Sequence, residues 1–375
     1  MCSAKSNYLI IADSERSSNM LYASGFSAPD PFIFTRINAK TFLLASPLEY
    51  ERAKKESKAD TVVNTADINV RYKPRSFAGI FLSFLKGISK ARSFEVPADF
   101  PLVYADFLKK RSIKLKIKTP PFFPERMIKS SKETTYIKKS VAIAQKGMKA
   151  GEDILKKSSI NNRGYIVYNN RVLTSEFLKS EINVAMAREN GICTGTIVAG
   201  GDQACDPHCR GTGKLKAYQP IIFDIFPRSN ETFYHADITR TFIKGKPSSE
   251  LKKLYNAVKD AQEKAISMIK PGVCMGTVHN SVADHFKKQG YETEVKGDQL
   301  KGFIHSTGHG FGLDIHEHPG ISGRNKSRFR KGLVVTVEPG LYYPGLGGVR
   351  IEDDVAVTGK GCTILSTYHK RWIIP

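Results

Sequence analysis

The sequence predicts an α+β protein of two domains. Three observations lead there: a length of 375 residues, a proline-stiffened break between Pro120 and Pro124, and two pairs of amphipathic helices that each lead into strand-like sequence. A chain this long exceeds the ~100–200 residues usual for one domain and can bury a sizeable core. Its composition, 41% hydrophobic and 25% charged, is that of a folded globular chain.

From the N-terminus, YLIIAD (8–13) reads as a strand, and PFIFTRI with TFLLAS reads as a hairpin turning at Asn38-Ala39-Lys40. SPLEYERAKKESKAD and DFPLVYADFLKK read as helices. KKRSIKLKIK (109–118) alternates basic and apolar residues from Arg111 onward, as a strand with one wet face does. In TPPFFPE, Pro120, Pro121 and Pro124 forbid continued helix, which puts the domain boundary at 124/125 and gives domains 1–124 and 125–375.

Beyond the boundary, Ile137, Val141, Ile143, Ala144, Met148 and Ile154 recur at helical spacing, and SEFLKSEINVAMAREN gives a second helix capped by Thr174 or Ser175. The theme repeats in SSELKKLYNAVKDAQEKAISMIKPG, with Leu251, Leu254, Tyr255, Val258, Ala265 and Ile269 on one face and Pro271-Gly272 as the stop. GTVHNSVADHFKKQG is its partner. Two helix pairs, each followed by strands, suggest an internally duplicated domain whose strands form one sheet with the helices outside.

No apolar run approaches the ~20 residues that span a bilayer, and MCSAKSNYLIIADSERSS lacks the pattern of a signal peptide. A cytoplasmic location without membrane attachment is expected. The six cysteines (Cys2, Cys193, Cys205, Cys209, Cys274, Cys362) are too scattered for a disulfide framework and read as reduced thiols. A net charge of +22 favours anionic surfaces in general. No zinc finger, helix-turn-helix or RNA-binding aromatic motif accompanies it, so a nucleic-acid partner is not expected.

Chemistry concentrates in four apolar stretches that each carry an acid: IIFDIF with Asp224, HADITRTF with Asp237, VVTVEPGLYY with Glu338 and GVRIEDDVAV with Glu352. A buried carboxylate is costly unless paired or bound to a metal. A fifth stretch, HSTGHGFGLDIHEHPG, holds His305, His309, His316 and His318 of the nine histidines. Two Asp, two Glu and an imidazole make a hard ligand set suited to Mn, Zn, Co or Fe. Two such ions side by side can activate water and polarise a carbonyl, which is hydrolytic chemistry. Cys205 and Cys209 flank His208 but lack a fourth ligand motif, and GTGHG and AGG lack the Lys-Ser/Thr ending of a phosphate loop.

The motifs FDIFPR, HADITRTF, HSTGHGFGLDIHE, TVEPGLYY and GGVRIEDD, in that order, resemble the pita-bread metallopeptidases, in the branch of Xaa-Pro aminopeptidases and Xaa-Pro dipeptidases. YLIIAD, SNMLYASGF, the hairpin and the helix after it look like the smaller α/β creatinase-like domain that this branch places first. The resemblance implies a dinuclear metal centre with Asp224 on one ion, His309 and Glu338 on the other, and Asp237 and Glu352 bridging. It implies Mn first among the candidate metals, peptides with proline in second position as substrates, and a homodimer. Glu338 would also act as general base. His305 and His316 would line the substrate pocket, His316 stabilising the oxyanion. His208 would be a further pocket histidine, and Arg350 and Tyr342 would support the ligands.

A methionine aminopeptidase-like peptidase and a non-catalytic binding module for protein or nucleic acid are the rival readings. The sequence does not separate an aminopeptidase from a dipeptidase. His318 reads as a rim or structural residue, and His235, His279, His285 and His369 read as structural. Two departures from the family pattern stand out. Asp224 and Asp237 are thirteen residues apart, two more than usual, with the extra residues expected in a turn within PRSNETFYHA. Phe311 stands where an aliphatic residue is usual.

Overall fold

Hydrogen bonding orders the first six strands β4-β3-β2-β1-β5-β6 in one sheet, formed by β1 (Tyr8–Ala12), β2 (Phe32–Ile37), β3 (Lys40–Ala45), β4 (Thr61–Asn64), β5 (Ser93–Pro97) and β6 (Lys114–Lys118). The structure is a computed structural model that describes residues 6–72, 75–296 and 299–375. Cys2 and the first five residues of the stretch tested for a signal peptide lie outside the described residues. The chain divides into two compact units, Met1–Arg126 and Met127–Pro375, a cut two residues past the one drawn from the prolines.

In the first unit the strand period of two puts alternate side chains on opposite faces. Leu9, Ile11, Ile33 and Leu44 join one core and Tyr8, Ile10, Phe34 and Leu43 the other, so both faces of the sheet are covered. The β2–β3 hairpin turns at Asn38 and Ala39, both at positive φ (50° and 71°), the twist that a two-residue hairpin loop needs. The helix Phe77–Ile88 was not legible in sequence. Seven of its residues are buried and only Ser83 and Lys86 of FAGIFLSFLKGI are polar, so the run reads equally as a buried strand. The single wet face expected for KLKIK needs correction, because Ile117 is 68% exposed. β6 pairs with β5 alone, and its lysines suit an unpaired sheet edge.

The second unit carries the two helix pairs. Ser131–Lys157 starts with a capping box of Ser130 and Glu133 and packs beside Ser175–Arg188, which Thr174 caps through its hydroxyl. Ser249–Met268 packs beside Met275–Lys288 and ends before the Pro271-Gly272 stop.

The expected single sheet is divided. One sheet of four strands holds Ile197–Gly200, Pro220–Ile225, Ile238–Lys244 and Ile373–Ile374. One of five runs Glu317–Ile321, Gly308–Gly310, Val334–Val337, Asp353–Val357, Cys362–Ile364. Gly340–Tyr343 and Gly347–Arg350 form a separate pair. Pro339, which has no N–H to donate, marks the break between Val334–Val337 and the pair. The longer PRSNETFYHA connection is more than a turn: Arg228–Ser229 pairs with Gly191–Ile192.

Gly308 shows how tightly the histidine segment is laid down. A Cβ there would lie 2.0 Å from the Thr336 carbonyl oxygen, an impossible approach to a backbone atom. Gly308→Ala is expected to cost ~2 kcal/mol or more in urea unfolding, since overpacking against backbone cannot relax cheaply. A variant as stable as the parent would contradict that packing.

Candidate metal centre

The acids sit at or near strand ends. Asp224 is next to last in Pro220–Ile225, Asp237 immediately precedes Ile238–Lys244, and Glu338 immediately follows Val334–Val337. Glu352 lies between Gly347–Arg350 and Asp353–Val357. At a strand end the backbone leaves its ladder and can aim a side chain into the space between sheets. Asp237 and Glu352 are buried at 5% and 2% exposure, so the ordinary alternative of a strand-end acid facing water does not apply to them.

Asp237, His309 and Glu352 each bring one ligand atom to a common point, all within 4.8 Å of one another. His309 Nε2 lies 3.3 Å from Glu338 Oε1 and 3.7 Å from Asp237 Oδ2. His309 Nδ1 lies 3.1 Å from the Gly310 carbonyl oxygen, which can only accept, so Nδ1 carries the proton. Nε2 is then left with its lone pair facing the acids, the arrangement of a metal-ligating histidine. Asp224 Oδ2 accepts from Arg350 Nη2 at 2.7 Å, and Asp224 pairs across the sheet with Thr239.

Electrostatically the cluster is unbalanced. Asp224, Asp237, Glu338 and Glu352 crowd together, and Arg350 acts on Asp224, Glu338 and Glu352. Burial first, and the neighbouring acids second, hold Asp237 and Glu352 well above the usual carboxylate range. Burial also raises Glu338, with Asp224 adding to it. Burial opposes the charge of Arg350, but Tyr342 and Asp224 more than offset this and keep it protonated. Asp224 Oδ1, Asp237 Oδ1 and Glu352 Oε1 are buried without a hydrogen-bond partner. Orphaned anionic oxygens in a dry site are what divalent cations satisfy, so these residues fit such ions.

A second layer links the histidines to this cluster. Arg350 Nη1 donates to the Tyr342 hydroxyl at 3.0 Å, and that hydroxyl lies 2.8 Å from His305 Nε2. His305 Nδ1 lies 2.8 Å from the Ser306 carbonyl oxygen and so donates to it, which leaves Nε2 to accept from Tyr342. Both ring nitrogens of His305 are thus engaged, so this histidine reaches a substrate only by exchanging its tyrosine. Tyr342 is fully buried and its hydroxyl is pushed up to about 12, chiefly by burial.

His316 packs its ring against His309, centroids 4.5 Å apart at 74°. His208 is exposed and lies near His305 and His316, whose lowering comes first from desolvation. Desolvation holds the enclosed His305 and His309 below the ordinary histidine value, and partial desolvation lowers His316 although its residue is exposed. His318 is exposed at the rim. Cys205, His208 and Cys209 form no metal-ligand group among the described residues.

Several supporting residues escaped the sequence reading. The Thr239 hydroxyl donates to Glu352 Oε2 at 2.7 Å, and the Thr336 hydroxyl donates to Glu338 Oε1 at 3.1 Å. Each stands two residues from a proposed ligand, on the same strand face, a signal the period of two could have supplied. Buried Arg240 binds the Glu352 carbonyl at 2.6 Å and the Asp353 carboxylate at 2.7 Å. Asp354 Oδ2 accepts from the Asp237 N–H at 3.1 Å.

Known proteins share this arrangement of elements. Residues 135–359 match the profile of metallopeptidase family M24. The chain belongs to that family. Its catalytic unit has the pita-bread fold. Relatives include Staphylococcus epidermidis and Staphylococcus aureus proteins, each named an uncharacterized peptidase. The first is 36% identical over 248 residues and the second 34% over 246, in both cases over 65% of this chain. The chain spans 64% of the length of these curated relatives in the match. Over nearly the whole chain, the structure resembles a prolidase from Pyrococcus furiosus (TM-score 0.79, 27% identity, 98% of this chain and 97% of that one). It likewise resembles an X-Pro aminopeptidase from Thermotoga maritima (TM-score 0.81, 25% identity, 99% and 98%). The M24 match covers all five proposed ligands, from Asp224 to Glu352.

Proposed function

We propose that this M24 protein is a dinuclear metal-dependent exopeptidase that cleaves the Xaa-Pro bond at the N-terminus of peptides. The observation that carries the reading is the set of three orphaned, buried carboxylate oxygens converging with a correctly oriented His309. Asp224, Asp237, His309, Glu338 and Glu352 would hold the two ions, with Mn the first candidate and Zn, Co or Fe sharing the ligand chemistry. Bound there, the ions would supply Lewis acidity and an acidified water.

Glu338, whose proton affinity burial raises, takes the proton from the attacking water and can pass it to the proline nitrogen as the C–N bond breaks. His316, neutral and beside His309, donates to the oxyanion that forms on the former carbonyl. Arg350 and Tyr342 hold Asp224 and His305 in place, and His208 adds a donor at the mouth. Proline in second position needs such a dedicated site, because its nitrogen has no N–H and its φ is fixed.

The likeness to the prolidase and X-Pro aminopeptidase neighbours supports proline selectivity, as do the motifs GLDIHE and HSTGHG. A methionine aminopeptidase-like activity is less well supported by the same neighbours. The net charge of +22 favours a binding module, but a module without chemistry has no use for an uncompensated carboxylate cluster. A cytoplasmic location and a homodimer complete the proposal. Among the described residues no helix is long and apolar enough to cross a membrane.

The test is hydrolysis, with Mn added, of an Xaa-Pro dipeptide, an Xaa-Pro-Yaa tripeptide and a longer peptide, beside matched Xaa-Ala and Met-Ala controls. Cleavage confined to proline substrates is expected, and the lengths accepted separate a dipeptidase from an aminopeptidase. Preference for the Met-Ala substrate would transfer the reading to the methionine branch, and cleavage of none would move it to the binding module.

A further inference from the structure

One buried ion pair lies beside the site and has no part in the chemistry proposed above. Lys129 Nζ donates to Glu317 Oε2 at 2.8 Å, with side chains 2% and 8% exposed. Desolvation roughly cancels the attraction in a pair so buried, so its contribution is better sought in what it orients.

The other oxygen, Glu317 Oε1, accepts the N–H of Leu313 at 3.0 Å and of Asp314 at 3.2 Å. Gly310 and Glu317 face each other across the ladder between Gly308–Gly310 and Glu317–Ile321. The segment 311–316 is therefore a loop with joined ends, and one carboxylate ties its interior. Its far side is fixed too. The Gly312 N–H donates to the Asp314 carbonyl at 2.9 Å, and the Gly312 carbonyl accepts from the His235 N–H at 2.7 Å, two residues before Asp237. The lysine is seated in turn: the Lys129 N–H donates to the Gly332 carbonyl at 2.7 Å. A Cβ on Gly312 would meet Lys129 Cε at 2.9 Å and Glu317 Oε1 at 3.1 Å, so the loop backbone lies directly on the pair.

His316 is the last residue of this loop. Its ring rests on His309, and no hydrogen bond among the described residues holds either ring nitrogen. Its place is therefore set by its backbone.

We propose that Glu317, seated by Lys129, is a positioning residue that fixes the 311–316 loop and so places the His316 imidazole beside His309. This rests on the reading of His316 as the oxyanion donor. Glu317 touches no reacting atom and acts only through the histidine.

A double-mutant cycle on the metal-loaded enzyme with an Xaa-Pro-Yaa tripeptide tests it. E317Q keeps an oxygen for the two N–H groups and loses the charge that Lys129 requires. Because misplacing an oxyanion donor costs less than the ~100-fold or more of deleting one, E317Q is expected to lower kcat about tenfold. KM and the metal content per chain should stay near wild type, as for an interaction made in the transition state. H316A/E317Q should be no slower than H316A, because both substitutions remove the same contribution. Effects that multiply, or an E317Q enzyme with wild-type kcat, would overturn the proposal.

A readout that needs no substrate separates this inference from the functional reading. In the Zn-loaded protein the His316 ring Cε1 proton resonance, assigned through H316A, should shift in E317Q while that of His279 stays. An unmoved His316 resonance overturns the positioning role even in a protein that cleaves no proline peptide. If E317Q does not fold, K129M/E317M strands neither charge and enters the same cycle and the same NMR comparison, with the same two outcomes.

Discussion

Replacing Glu338 with alanine is expected to abolish Xaa-Pro hydrolysis, with kcat lowered by ~1,000-fold or more, while the protein stays folded. The magnitude follows from the loss of a general base, ~100- to 10,000-fold, together with a weakened metal site. The folded state should not suffer. Burial raises the proton affinity of Glu338 by more than the attraction of His305 and Arg350 lowers it, so its removal relieves a desolvation cost larger than the attraction it gives up. The substitution removes only one hydrogen bond from Thr336 and the approach of His309. Circular dichroism and thermal unfolding of the metal-free variant check the fold beside the kinetics. Wild-type turnover in Glu338→Ala would remove the residue from the mechanism.

The second large effect is a pH-dependent stabilisation by metal. In the metal-free fold, Asp237, Glu338 and Glu352 are all raised above ordinary carboxylates. Each therefore binds its proton more tightly folded than unfolded. Their contribution to stability is present below the unfolded values, ~4–4.5, and is lost as pH rises through the raised folded values. Divalent ions take the place of those protons. Mn should then raise Tm more at about pH 8 than at about pH 5, where protons compete for the same oxygens. Saturation at 100 times Kd adds ~2.7 kcal/mol, which is roughly 5–10 °C for a domain of this size. Thermal unfolding with Mn or a chelator across this range measures it. Glu352→Gln separates the cluster from the general repulsion of a chain with net charge +22. A Mn effect that is equal at both ends, or larger at the acid end, would contradict the assignment of these groups.

Much of the site was legible because its chemistry is unusual in its setting. An acid amid β-branched residues is conspicuous, and four of them with a histidine cluster left few readings. What composition could not show was where each acid sits. Strand and strand end look alike when apolar residues continue on both sides, as around Asp224 between Phe223 and Ile225. Asp237, Glu338 and Glu352 proved to lie just outside the strands and Asp224 next to last within one, which is how they converge.

The engagement of both His305 nitrogens was also beyond the sequence, since it depends on Tyr342, thirty-seven residues away. Likewise Lys129 gave no sign of pairing with Glu317 across 188 residues. In the fold, the amphipathic helices were read where one face is wet, as in Ser249–Met268. Phe77–Ile88 was missed because a short run so rich in apolar residues does not tell a buried helix from a buried strand. The single expected sheet proved to be several, and Pro339 marks only the break between Val334–Val337 and the Gly340–Tyr343/Gly347–Arg350 pair.

The proposed dinuclear centre is one in which five side chains hold two divalent ions on which hydrolysis depends. It is tested most directly by calorimetric titration of the metal-free protein with Mn, with Xaa-Pro cleavage followed in parallel samples. Two ions per chain are predicted for the wild type, with cleavage appearing as they bind and vanishing with a chelator. Asp237→Asn should fail to complete the pair. Cleavage that persists in metal-free protein, or a wild type that binds no Mn, would contradict the account.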